Sequence, residues 1–239
     1  MATKKVATAT MVAAQITIPG GEFEVVEREI PKPNAGEVLI KVQPCGVCHS
    51  DVFAKEGLWP GIQYPRVPGH EVVGVIDEQG AGVNAWGSAT TAGTTTRVSS
   101  AGVGASFSAG TLSLPALSYD GGYQQYMVAP VEALVAAIPD TLSAAEAAPL
   151  LCAGVTTFNA LRHSGASPGS LVAVQGVGGL GHLAIQFGNK FGYKVVAIGR
   201  GPENSALAKK LGANVYIDSQ AVNAAAELQK LGGAHVILR

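Results

Sequence analysis

Ser170-Leu171-Val172-Ala173-Val174-Gln175-Gly176-Val177-Gly178-Gly179-Leu180-Gly181 is the stretch whose reading decides the fold. Residues 170–174 form a short apolar run, as a buried strand does. The glycines after it are spaced G-x-G-x-x-G, and residues 182–191 then read as a helix. Residues 194–198 are a second strand and 203–211 a second helix. Strand, glycine-rich turn, helix and strand make a βαβ unit, so the fold class expected here is α/β with a parallel, doubly wound sheet. Alone, the glycine motif is a weak signal, and its other reading is a set of glycines that only shape a turn. Placed after a strand and before a helix, it has the context a dinucleotide site requires. Gly176 makes the tight turn, Gly178 lets the backbone approach a pyrophosphate, and Gly181 permits close packing of helix on strand. Gly179 and Leu180 lie at the helix start, whose N–H groups suit phosphate oxygens.

The end of the second strand bears on the nucleotide. An acidic residue there, about 20 residues past the loop, holds the ribose hydroxyls of NAD. In this chain Val196-Ala197-Ile198 is followed by Gly199-Arg200. Glycine removes the carboxylate that would repel a 2′-phosphate, and arginine offers it a bidentate partner. The expectation is NADP(H) in preference to NAD(H). Arg200 as a solvated loop charge is the plainer alternative.

Composition bounds the rest. The chain has 239 residues, 47% hydrophobic and 14% charged, with a net charge of −1. A sizeable core is within reach, and nothing suggests a nucleic-acid partner. No apolar run approaches the roughly 18 residues of a membrane span. Three cysteines argue against a disulfide framework and for a reducing compartment, so a cytoplasmic location is expected. Residues 1–10 read as a flexible extension, with the first strand over 12–18. Residues 11–86 look β-rich, with strand-like runs at 23–30, 37–42 and 70–77. Ser143 and Glu146 fit a capping box, which starts a helix-compatible stretch over 144–162. Gly154 and the threonine pair weaken its middle. The segment 87–118 stands apart: of its 32 residues, 24 are Gly, Ala, Ser or Thr. It shows neither strand nor helix period and reads as an irregular loop without a core of its own.

A second constellation carries chemistry. Cys48-His49-Ser50-Asp51 precedes Gly69-His70-Glu71 by about twenty residues, and Cys152 is the remaining cysteine downstream. Thiolate and imidazole, each beside a carboxylate, are donors that zinc prefers, and a catalytic zinc keeps three protein ligands with a fourth position open. Cys48 therefore reads as a zinc ligand, as half of a redox pair with Cys45, or as a buried thiol. His70 is a second ligand or an ordinary strand-edge histidine. Cys152 is a third ligand or core packing.

Pro44-Cys45-Gly46-Val47-Cys48-His49-Ser50-Asp51, Pro68-Gly69-His70-Glu71-Val72-Val73-Gly74 and Ala148-Pro149-Leu150-Leu151-Cys152-Ala153-Gly154-Val155-Thr156-Thr157 resemble the zinc-dependent medium-chain alcohol dehydrogenases in order and spacing. The resemblance covers about residues 11–86 and 119–237. It implies a β-rich GroES-like barrel over 11–150 as the catalytic domain, then a Rossmann nucleotide-binding domain over 151–239. It further implies one catalytic zinc on Cys48, His70 and Cys152, with Glu71 behind them or as a transient ligand and Asp51 orienting the shell. Hydride would pass between a primary alcohol or aldehyde and the nicotinamide. Ser50 would relay the proton, His49 and Thr156 would contact the cofactor, and Phe53 stands where part of the family has a relaying histidine. In the family, the region of 87–118 carries four cysteines around a structural zinc. With Cys45, Cys48 and Cys152 as the only cysteines, that second zinc is not expected.

Residues 234–239 look like the start of another Rossmann strand, and family members run on to about 340 residues. The expected sheet is thus incomplete, and much of the surface through which such enzymes form homo-oligomers is expected to be missing. Two other functions fit the same residues. One is a non-catalytic remnant, truncated or frameshifted across 87–118. The other is a zinc-free NADPH-dependent reductase of the same superfamily.

Overall fold

A computed structural model describes residues 9–83, 91–94 and 114–239. The chain divides into two compact units, with the division between Cys152 and Ala153. Residues 1–8 of the expected N-terminal extension lie outside the described residues, and Thr10 already belongs to a strand.

The first unit is β-rich. Strands β1 (Thr10–Gln15) and β2 (Glu24–Glu29) form an antiparallel ribbon. The first strand thus starts earlier than the 12–18 span expected from sequence and ends within it at Gln15, because residues 16–23 turn the chain between the two strands. Strands β3 (Glu37–Gly46), β4 (Glu71–Gln79), β5 (Thr91–Thr94), β6 (Tyr126–Pro130) and β7 (Leu134–Ala137) form a sheet of order β6-β3-β4-β5-β7. All its pairs are antiparallel. Val38, Ile40, Val72, Ile76, Met127 and Ala129 pack on one another with no exposed surface. Burying an aliphatic side chain of that size stabilises by roughly 1.5–3 kcal/mol, so this cluster fixes the sheet that carries the site.

Two expectations need correction here. The irregular reading of 87–118 fails at Thr91–Thr94, which pairs with β4 on one side and β7 on the other. Its small and β-branched residues carry no alternation to read, and the two neighbouring strands supply the hydrogen-bonding template instead. The expected continuous helix over 144–162 is also broken. Helix α2 (Ala144–Ala147) passes into a 3-10 turn, Ala148–Leu151, and stops at Cys152, which leaves the helical region at φ −124°, ψ −69°. Pro149 accounts for this, because it has no N–H for an α-helical bond and crowds the preceding turn. Gly154 and Thr157 sit inside the next helix, and Thr157 Oγ1 donates to Ala153 O at 2.7 Å. The Ser143–Glu146 capping box is present as read. Ala147, Ala148 and Leu151 pack on Val73 of β4, which draws the chain leading to Cys152 against the strand that starts at Glu71.

The second unit is a four-stranded parallel sheet of order β10-β9-β8-β11. Its strands are β8 (Leu171–Gln175), β9 (Lys194–Gly199), β10 (Val215–Asp218) and β11 (Val236–Leu238). Its helices are α3 (Ala153–Arg162), α4 (Gly179–Lys190), α5 (Ser205–Leu211) and α6 (Ala224–Lys230). Both sheet faces are covered, which explains the continuous apolar runs in β8 and β9. Val172, Val174, Val195 and Ala197 face Leu161, Ala184, Ile185 and Ala208 of α3, α4 and α5. Ala173, Val196 and Ile198 face Leu228 of α6. Helix α4 begins at Gly179, three residues before the expected start, because the last glycines of the motif form its first turn. Strand order reverses between β8 and β11, and the glycine turn lies at the carboxyl end of β8, where ligands bind in sheets of this kind.

Candidate functional site

Two backbone corners assemble the first site. After β3 the chain turns through residues 47–50 into the short helix α1 (Asp51–Lys55), and Asp51 N donates to Cys48 O at 3.0 Å. The Asp51 carboxylate folds back over this turn, and its Oδ2 accepts the Cys48 N–H at 3.0 Å. The second corner is Pro68-Gly69-His70, just before β4. Gly69 has φ +96°, and a Cβ there would lie 2.6 Å from Cδ1 of Tyr123 and 2.8 Å from Cys45 Sγ. Only glycine fits that conformation in that space.

Asp51 joins the corners. Its Oδ1 accepts the Gly69 N–H at 3.2 Å and pairs with His70 Nδ1 at 2.9 Å. With Nδ1 engaged, Nε2 remains for ligation, and that atom is buried without a hydrogen-bond partner. One donor atom from each of Cys48, His70, Glu71 and Cys152 lies within 4.8 Å of all the others. The Cys48 and Cys152 sulfurs are 4.0 Å apart. Two thiolates at a zinc–sulfur distance of about 2.3 Å and a tetrahedral angle would lie about 3.8 Å apart. The donor set, the orphaned imidazole nitrogen and the sulfur separation all fit a zinc ion. A cysteine hydrogen bond and burial leave the pair unequal: the Cys152 thiol lowers the pKa of Cys48, whereas that same bond and burial raise its own. Burial opposes charge on His70, but Asp51 and the Cys48 sulfur outweigh it and push the ring up to about 10. These shifts favour a thiolate at Cys48 beside a protonated His70 ring, and a bound dication would take the place of the protons.

Other residues singled out by sequence fall around this centre. Glu71 is almost fully buried. Ser50 and His49 are exposed on the turn beside Cys48, and the Ser50 hydroxyl contributes a hydrogen bond to the Cys48 sulfur. Phe53 packs edge-on against Trp59, with ring centroids 6.4 Å apart. Burial pushes the Cys45 thiol up to about 12, which makes it a poor nucleophile for redox pairing with Cys48. Sequence reading overlooked Tyr123, whose hydroxyl donates to Asp51 Oδ2 at 2.6 Å. The only signal was its place in Asp120-Gly121-Gly122-Tyr123, at a distance in sequence from every ligand.

The second site is the glycine turn. Gly176 has φ +92° and its N–H donates to Ile198 O at 2.8 Å. A Cβ on Gly181 would lie 1.8 Å from Gly176 O, so this glycine packs helix α4 onto the turn itself as well as onto Val174. Gly178, Gly179 and Leu180 are exposed, and nothing lies within 4 Å of a Cβ built on Gly178 or Gly179. The first N–H groups of a helix have no partner within it, so this open turn suits a phosphate. Thr156 is exposed on α3. At the end of β9, Gly199 is buried and Arg200 exposed. A Cβ on Gly199 would lie 2.3 Å from the Tyr216 hydroxyl, which itself donates to Gly201 O at 2.6 Å. Tyr216 occupies the space an acidic side chain at 199 would need, and sequence reading did not single it out. Asp218, the register partner of Gly199, accepts the N–H groups of Gly201 and Gln220 at 2.8 and 2.9 Å.

No described helix is long and apolar enough to cross a membrane. Residues 34–140 match the alcohol dehydrogenase GroES-like domain family, and residues 179–239 match the zinc-binding dehydrogenase family. The chain is 44% identical over 218 residues to alcohol dehydrogenase patD of Aspergillus clavatus, covering 89% of this chain and 56% of that protein. It is 37% identical over 233 residues to an alcohol dehydrogenase of Moraxella, covering 94% and 69% respectively. Among solved structures, the cobalt- and zinc-bound thermostable alcohol dehydrogenase of Pyrobaculum aerophilum superposes with a TM-score of 0.78 at 29% identity, covering 89% of this chain and 66% of that one. The chain thus spans little more than half of the first relative and about two thirds of the other two. With a β-rich GroES-like part and a Rossmann part in the order these relatives share, the chain belongs to the medium-chain alcohol dehydrogenase family.

Proposed function

We propose that this chain is a zinc-dependent oxidoreductase, transferring a hydride between a primary alcohol or aldehyde and a nicotinamide cofactor, with NADP(H) preferred. The observation that carries the reading is the convergence of Cys48, His70, Glu71 and Cys152 donor atoms within 4.8 Å. A zinc ion held by Cys48, His70 and Cys152, with Glu71 beside them, would supply Lewis acidity to the substrate oxygen. Asp51 holds His70 by Nδ1 and keeps the other ring nitrogen free for that role. Ser50 Oγ, exposed beside Cys48, is the group suited to take the hydroxyl proton of an alcohol and release it to water. Phe53 and Trp59 offer an apolar wall near that turn. The same convergence speaks against a zinc-free reductase, in which four converging donors would have no common purpose.

The cofactor reading draws on the second unit. The open turn at Gly178 and Gly179 and the start of α4 would take the pyrophosphate, with Gly176 and Gly181 shaping the turn. His49 and Thr156, both exposed, are further proposed contacts. NADP(H) is favoured because Tyr216 fills the place of a ribose-binding carboxylate at 199 while Arg200 stands exposed next to it. Zinc per chain by elemental analysis, together with kcat/KM for NADPH and NADH against short aldehydes, tests both parts. About one zinc per chain and a higher efficiency with NADPH are expected. A chain without zinc overturns the metal reading, and equal or better use of NADH overturns the cofactor preference.

A further inference from the structure

We infer that Tyr123 is a positioning residue for the metal centre: its hydroxyl completes the hydrogen-bond shell of Asp51 and so holds His70 ready to ligate. The inference rests on the zinc reading given above. A carboxylate offers about four acceptor sites. Asp51 is 7% exposed, and four donors use its two oxygens. Oδ1 takes the Gly69 N–H at 3.2 Å and His70 Nδ1 at 2.9 Å. Oδ2 takes the Cys48 N–H at 3.0 Å and the Tyr123 hydroxyl at 2.6 Å. Three of these donors come from the two corners that carry the ligands. Tyr123 is the fourth, it comes from neither corner, and it makes the shortest bond of the set.

The tyrosine is itself held on several sides. Its N–H donates to Pro68 O at 3.0 Å and its carbonyl accepts the Ala14 N–H at 2.8 Å. Just before it, Gly121 N donates to Val67 O at 2.7 Å and Gly122 N to Gly69 O at 2.8 Å. Asp120 anchors the same segment through Arg28 at 2.8 Å, Arg66 at 3.3 Å and the Val67 N–H at 3.0 Å. The ring lies against Gly69, whose missing Cβ leaves room for it, and against Phe23 with centroids 6.2 Å apart. A hydroxyl on so fixed a ring defines where Asp51 Oδ2 stands. Because Oδ1 is rigidly joined to Oδ2, the orientation of the His70 ring follows.

The test is zinc affinity by chelator competition, with the absorption spectrum of the cobalt-loaded chain as a second readout. Tyr123→Phe removes one oxygen and keeps the ring packing. Its zinc affinity is expected to fall about tenfold, in the range typical for partners that orient a ligand, and its cobalt bands are expected to shift. In an Asp51→Asn background, the same change is expected to alter zinc affinity less than about twofold, since it acts through Asp51. A Tyr123→Phe chain that binds zinc as the original does, with superimposable cobalt bands, overturns the inference. So does an equal loss in both backgrounds, or a variant that is not soluble, since the hydroxyl would then serve the fold at large. Absence of zinc from the unsubstituted chain overturns the proposed function, and this inference with it.

Discussion

The proposed metal corner and the glycine turn solve different problems by different means. The metal corner gathers side chains from three distant places: Cys48 after β3, His70 and Glu71 at β4, and Cys152 at the end of a broken helix. The glycine turn uses backbone from one continuous stretch, residues 176–181, and its contribution is the absence of side chains. A cation needs donors converging from several directions, and no short peptide supplies thiolates and imidazole in tetrahedral array. A phosphate needs N–H groups on one side, which a helix start already presents. The first site should therefore fail when a single side chain is lost, and the second when one is gained.

The sharpest way to break that comparison is at Cys48. Cys48→Ser is expected to take zinc from about one per chain to none, measured by elemental analysis, and to abolish turnover, because a hydroxyl is a poor substitute for a thiolate at zinc. NADPH binding, followed by nucleotide fluorescence, should stay within about twofold, since the glycine turn shares none of those side chains. The converse change is Gly181→Ala. The new methyl would overlap Gly176 O, which lies 1.8 Å from its position, so the turn must move. A loss of roughly 3 kcal/mol in chemical denaturation is expected, with weakened NADPH binding and zinc content retained.

A smaller effect sharpens the cofactor half. Gly199→Asp should weaken NADPH binding about tenfold by like-charge repulsion, yet gain little for NADH while Tyr216 fills the space. Adding Tyr216→Ala should then improve NADH binding, read as the ratio of the two dissociation constants. Least disruptive is Ser143→Ala, which removes the Ser143–Glu146 capping box ahead of Cys152. It should cost about 1 kcal/mol in thermal or urea unfolding, and zinc content should not change.

What could be read in advance differs between the halves for the same reason. The βαβ unit, its glycine turn and the cap at Ser143 are local patterns, and β8, α4, β9, α5 and β11 of the second unit lie near where the residues place them, whereas β10 and α6 carry no such signal. The β5 strand at Thr91–Thr94 was missed because its partners, β4 and β7, are remote in sequence and its own residues carry no alternation. The helix over 144–162 is shorter than the sequence suggests because Pro149, its sixth residue and beyond the first turn, interrupts the α-helical bonding, and packing of Ala147, Ala148 and Leu151 on Val73 holds the chain at that break.

The sequence by itself determined the family, the α/β class, the types of donor available for a metal and the glycine that leaves position 199 without a carboxylate, because spacing and side-chain chemistry are properties of the chain. Tertiary structure alone decided that Asp51 links both ligand corners, that Tyr123 stands on its far oxygen, and that Tyr216 closes the space at Gly199. Apart from the local Cys48–Asp51 bond, each of these is a contact across 15 or more residues, and such contacts exist only once sheets have set which distant segments lie side by side.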